Sequence, residues 1–168
     1  NTFSSYVAVW DNVDVGNVPT YPVNTGLTAG TQYYYRVRAY NANGTSVNSN
    51  SISITLIPPD PVATAASVAA TTSFSANWNV SLNATGYYLD VATNNSFTAM
   101  VTGWTNVPVG NVLTYSVSTG LSAATNYYYQ VRAENATGLS GNSGTITVLT
   151  APDVPTALAV SLVGATSF

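Results

Sequence analysis

The sequence repeats itself: shifting the 168 residues by 94 positions lays 1–74 on 95–168 without a gap, and 39 of the 74 pairs are identical. Phe3 falls on Phe97, Trp10 on Trp104, Val15-Gly16-Asn17 on Val109-Gly110-Asn111, and Tyr33-Tyr34-Tyr35 on Tyr127-Tyr128-Tyr129. A unit of this length is a complete domain, too long for the short stacked units of a solenoid. Whatever fold one unit takes, the chain takes it repeatedly.

Within the unit, apolar and polar residues alternate in short runs punctuated by Gly, Asn, Pro and Ser, which predicts an all-β fold. Side chains two apart share a strand face. Phe74, Ala76 and Trp78 therefore form one predicted core face, and Tyr87, Leu89 and Val91 a second. Tyr127, Tyr129, Val131 and Ala133 form a third, and Ile146 and Val148 a fourth. Turns are expected at Asn83-Ala84-Thr85-Gly86 and Asn135-Ala136-Thr137-Gly138. About seven such strands in one unit predict a two-sheet antiparallel β-sandwich.

These residues also carry a resemblance. The Pro58-Pro59-Asp60-Pro61 opening, Trp78, Tyr87, the run Leu121-x-x-x-Thr125-x-Tyr127 and then Val131-Arg132-Ala133-x-Asn135 together resemble a fibronectin type III domain, of the immunoglobulin-like class, across the whole chain. The resemblance implies a tyrosine corner at Tyr127 and at Tyr33, the hydroxyl bonding back to the backbone near the preceding turn. Ala123 and Ala29 stand where many members have proline. It also implies the boundaries: 1–57 is the C-terminal part of one repeat, 58–151 a complete repeat, and 152–168 the N-terminal part of a further one. Head and tail together lack the stretch equivalent to 75–94, so two chains exchanging ends would leave a hole in the core. The chain is expected to belong to a longer polypeptide or filament. Pro-rich junctions at 58–61 and at Pro152-Asp153-Val154-Pro155 restrict the backbone and favour semi-rigid stacking over a floppy tether.

Composition narrows the chemistry. The chain has no histidine, cysteine or lysine, and only three arginines against six acids. Acid–base and nucleophilic catalysis need a titratable group near neutrality or a positioned base, so no enzyme activity and no cofactor are expected. Asp11 and Asp14 lie three apart, but the other repeat has Thr105 and Pro108 there; Asp60, Asp90, Glu134 and Asp153 are scattered singly, which argues against calcium. Without a basic stripe, nucleic acid is not an expected partner. No apolar run reaches the length of a membrane span.

Candidate contact residues remain. Alternation places Tyr34 and Arg38 on the outer face of one repeat and Tyr88, Tyr128 and Arg132 on that of the next, an aromatic–cation patch able to dock a neighbouring repeat, another protein or a sugar. The alternative is ordinary cross-strand pairing that shields the sheet. Trp10 and Trp104 either stack on carbohydrate or, the favoured reading, plug the open end of the sandwich. Five Asn-x-Ser/Thr sequons at Asn43, Asn79, Asn83, Asn94 and Asn135 are candidate glycosylation sites. The expectation is a non-catalytic structural or adhesive array, extracellular or at the cell surface, serving as spacer, stalk or filament body, its partners being neighbouring repeats or copies of itself. The alternative is a set of accessory carbohydrate- or protein-binding modules of a larger secreted enzyme.

Overall fold

The computed structural model describes residue 3, residues 5–67 and residues 69–159. Most of the predicted first strand of a further repeat, with Phe168, lies outside them.

The alternating runs of the second unit become two facing antiparallel sheets. One consists of β5 (Ala63–Ser67), β6 (Phe74–Trp78) and β9 (Thr114–Val117), in the order β5-β6-β9. The other has β7 (Gly86–Ala92) between β8 (Val107–Gly110) and the long β10 (Asn126–Asn135), with β11 (Gly138–Leu139) and β12 (Ile146–Leu149) on the far edge of β10. Every predicted core residue faces inward and is buried except Ile146, which is half-buried against the cluster. Aromatic rings fill the middle, Phe74 stacking on Tyr129 with centroids 5.9 Å apart and Trp78 tilted against Tyr87 at 5.6 Å.

The edge beyond β10 is irregular for a local reason. Between β11 and β12 serine hydroxyls carry half of the ladder: Ala133 N donates to Ser140 Oγ and Val131 N to Ser143 Oγ, while Ser140 N and Ser143 N donate to Ala133 O and Val131 O. The first unit repeats the device, with Ala39 N on Ser46 Oγ and Val37 N on Ser49 Oγ. A Ser-x-x-Ser spacing thus satisfies two backbone donors per repeat that would otherwise be unpaired.

The first unit retains β1 (Gln32–Tyr35) paired with β4 (Ile52–Thr55), the short pair β2 (Tyr40–Asn41) and β3 (Gly44–Thr45), and a single 3-10 turn at Ala8–Trp10. Among the described residues no helix is long and apolar enough to cross a membrane.

Candidate functional site: the outer sheet face and the junction between repeats

The outer face of the β7–β10 pair is set by register. Arg132 lies opposite Tyr88, Gln130 opposite Asp90, and Tyr128 opposite Ala92. Tyr88, Tyr128 and Arg132 are thus brought onto one face, each half-buried. The guanidinium does not stack on either ring as an aromatic–cation pair. It turns to Asn106 Oδ1 at 2.6 Å and Asp90 Oδ2 at 3.4 Å. The cause is Asp90, which is only 6% exposed and whose carboxylate requires partners at that depth. It also accepts from Asn106 N and from Gln130 Nε2 at 3.3 Å. In the sequence Asp90 is an isolated acid, because its partners come from a loop 16 residues on and a strand 40 to 42 residues on. The group walls a shallow depression of about 280 Å³, with Phe97 and Met100 as its apolar side.

The first unit shows a different arrangement at equivalent positions. Arg38 donates to Asn12 Oδ1, matching Arg132 and Asn106. Arg36, in the place of Gln130, lies over the Phe3 ring at 4.2 Å and donates to the Tyr6 hydroxyl. Tyr34 is exposed, its hydroxyl donating to Gln32 Oε1. Asp14 accepts from the Gly16 amide and the Tyr40 hydroxyl, which hold its carboxyl below the usual range; the same contact raises the Tyr40 phenol.

Each tryptophan is tied by its indole N–H to a backbone carbonyl fifteen residues on. Trp104 is 7% exposed and its Nε1 donates to Thr119 O at 3.0 Å; Trp10, half-buried, makes the matching bond to Thr25 O at 2.7 Å. Trp104 therefore presents no ring face on which a sugar could stack. Both tyrosine hydroxyls accept from backbone, Tyr127 from Ser122 N and Tyr33 from Thr28 N, each at 2.8 Å.

The second site is the junction. Asn83, at the β6–β7 turn, has a φ of 55° and donates Nδ2 to Gly30 O at 2.6 Å. Asn135, whose Oδ1 already caps the β10–β11 turn by accepting from Thr137 N and Gly138 N, donates Nδ2 to Leu56 O at 2.9 Å. Thr137 Oγ1 donates to Thr55 O. The linker is fixed from the other side, Pro58 being fully buried and Asp60 Oδ1 accepting from Gly141 N at 2.7 Å. Gly30 N in turn donates to Ile57 O. Two turns of one repeat thus clamp the last strand and the tyrosine-corner loop of the preceding one.

Two of the sequon asparagines lie at this junction. The Nδ2 atoms of Asn83 and Asn135 are the junction donors, so a glycan on either would have to fit beside the contact, on a nitrogen that keeps one N–H. Asn94 is held in its own loop, donating to Thr98 Oγ1 and accepting from Thr98 N and Ala99 N. Asn43 and Asn79 are exposed. Sequence reasoning missed Gly30; the signal available was the Gly30/Ala124 difference at equivalent positions.

The strand order, the paired tyrosine corners and the 94-residue repeat together define the class, an all-β antiparallel sandwich in tandem whose fold matches fibronectin type III domains. No family model matches the chain. It is similar to Exoglucanase B of Cellulomonas fimi, 34% identical over 161 residues, a match covering 86% of this chain and 14% of that protein. It is also similar to Chitinase A1 of Niallia circulans, 31% identical over 143 residues, covering 77% of this chain and 19% of that protein. The chain thus spans less than a fifth of the length of these relatives. Among solved structures, the FN1–FN3 domains of chicken CNTN1 match at 23% identity and a TM-score of 0.47, covering 76% of this chain and 46% of that one. A fibronectin type III domain of the human fibronectin type III domain containing protein 3 matches at 26% and 0.44, covering 57% and 88%.

Proposed function

We propose that this array is a non-catalytic accessory segment of a larger secreted, polysaccharide-acting enzyme, in which it sets the distance and orientation between other domains. One observation carries the reading. The match to Exoglucanase B covers 86% of the chain, so it runs through the junction at 56–61 and not merely through one domain. The matched stretch includes the junction with sequence on both sides of it, which supports reading the two repeats as a joined unit, as a spacer requires. The junction contacts support semi-rigid coupling, since side-chain clamps from two turns and a buried proline leave the linker little freedom.

A second role is supported by the depression beside Asp90 and Arg132. Planar polar side chains next to the Phe97 ring suit a neutral saccharide, and Tyr88 and Tyr128 flank it on the same face. Both roles place the array outside the cell.

The test replaces the array, in the polypeptide that carries it, by a flexible Gly-Ser linker of equal contour length. The spacer reading expects hydrolysis of insoluble polysaccharide to fall severalfold with hydrolysis of soluble oligosaccharide unchanged. Equal activity on both substrates would overturn it. Sedimentation of the isolated chain with cellulose or chitin tests the second role, which requires co-sedimentation that is lost in Arg132→Ala.

A further inference from the structure

The depression beside Asp90 is bounded in a way that limits what it can hold. Its floor is set by β7 and β10, where Asp90 lies opposite Gln130. Ala92, the next outward position on β7, is 0% exposed, with Met100 bridged to it on one side and Tyr128 opposite on the other. The outer face is therefore closed at that end. At the other end stands Arg132, opposite Tyr88 and bonded to Asn106 Oδ1 at 2.6 Å. The volume of about 280 Å³ falls at the lower edge of the roughly 300–1,000 Å³ of a small-molecule pocket. A depression closed in this way has room for one ring and not for a chain passing along the strands.

Its apolar wall is held in place against backbone preference. Phe97 has a φ of 54°, in the left-handed region that a bulky side chain avoids. Asn94 braces the turn, its Oδ1 accepting from Thr98 N and Ala99 N and its backbone O from Phe97 N. Asn106, which also lines the depression, has a φ of 53°. Strained residues gathered round one site point to a use for the side chains they carry. The first unit shows the matching ring covered: Arg36, in the place of Gln130, lies over Phe3 at 4.2 Å. In the second unit Gln130 turns to Asp90 instead, and among the described residues no cation lies over the Phe97 ring. The second unit thus leaves open a ring face that the first covers with its own guanidinium.

Resting on the saccharide reading of this depression, we propose that it is an end-recognition site, taking one neutral pyranose unit at a chain terminus or branch. The C–H face of the sugar lies on Phe97 and its hydroxyls on the surrounding amides. Charge selects a neutral guest. Asp90 already accepts from Asn106 N, Gln130 Nε2 and Arg132 Nη2, so carboxylate and guanidinium neutralise each other and neither is left to hold an ionised partner. Among the described residues Gln130 Oε1, Asn106 Nδ2 and the Asn142 amide make no hydrogen bond, which leaves donors and acceptors side by side at the rim, as adjacent hydroxyls require. A groove that follows a polysaccharide needs ring faces repeated along its length, and this depression is lined by one.

The test titrates the full chain calorimetrically with β-1,4-linked glucose and N-acetylglucosamine oligomers of two and of six units. An end site gives one site per chain and, in the series that binds, a Kd for two units within about twofold of that for six. Phe97→Gly removes the ring and relieves the left-handed backbone, and Phe97→Leu removes the ring but keeps an apolar side chain. Both are expected to weaken binding at least about tenfold while the urea midpoint of the second unit stays in place. Tightening of about tenfold or more from two units to six would overturn the end site and leave the saccharide reading standing. Undiminished binding in both Phe97 variants, or co-sedimentation with cellulose or chitin when no oligomer binds, would do the same. Binding to neither oligomers nor polymers would overturn both.

Discussion

Replacing Gly30 by alanine isolates the junction. The position has a φ of 70°, and a Cβ built there lies 2.4 Å from Leu82 O and 3.1 Å from Pro59 Cδ. Backbone strain alone costs about 1–2 kcal/mol for a non-glycine residue in this region. It is tolerated in this chain, because Ala124 occupies the equivalent place with a φ of 49°. The approach to Leu82 O is the difference. A carbonyl oxygen of the next repeat cannot stay that close to a methyl group, so the turn must withdraw and the Asn83-to-Gly30 bond is lost, a net cost of about 1 kcal/mol. With the backbone strain common to open and closed arrangements, the junction loses about 1 kcal/mol, a shift of roughly 5-fold toward open arrangements. The chain has no cysteine, so cysteines introduced at the exposed Ser53 and Thr114 carry spin labels at unique positions. Pulsed dipolar spectroscopy is expected to give a narrow distance distribution in the parent and a broad one in Gly30→Ala, while the second unit melts as before. An unchanged distribution would refute the close-contact argument.

Three further outcomes follow from the second unit. Asp90→Ala leaves the Arg132 charge half-buried without its carboxylate and the Asn106 amide without its acceptor, and is expected to cost about 2–3 kcal/mol in urea unfolding, partly recovered by Asp90→Asn. Tyr127→Phe removes the buried corner bond and costs about 1–2 kcal/mol, whereas Tyr33→Phe, with the same bond in the first unit, changes the melting of the second unit by less than about 0.5 kcal/mol. Burial raises the Tyr129 phenol above its ordinary value of 10.0, with the Asn77 amide bond partly opposing it. The folded state therefore holds this proton more tightly than the unfolded one, so its contribution is complete below about pH 10 and is lost as pH rises through the higher folded value. The fall in Tm with rising pH in that window is expected to be shallower in Tyr129→Phe.

The core was legible because period-two alternation is a direct consequence of strand geometry, and Phe74, Ala76, Trp78, Tyr87, Leu89 and Val91 all follow it. What alternation cannot convey is which strands have partners. Thr20 to Val23 reads as well as Thr114 to Val117, yet only the second is paired, since the difference lies in a neighbour and not in the residues themselves. The junction was hidden for a related reason. Asn83 and Asn135 carry turn and sequon signals that local sequence supplies, whereas their bonds to Gly30 O and Leu56 O depend on how one repeat meets the next. Alternation puts Arg132 on the outer face, but its choice of Asp90 over the tyrosine rings is decided by the depth of a carboxylate 42 residues away.

The central claim, that successive repeats couple into a semi-rigid spacer, is tested most directly by small-angle scattering on chains lengthened by whole 94-residue units. With β10 spanning ten residues, each unit is on the order of 30 Å long. Coupled repeats predict that the maximum dimension rises by that increment with every unit added. Growth that instead flattens toward the square root of the number of units would contradict the account.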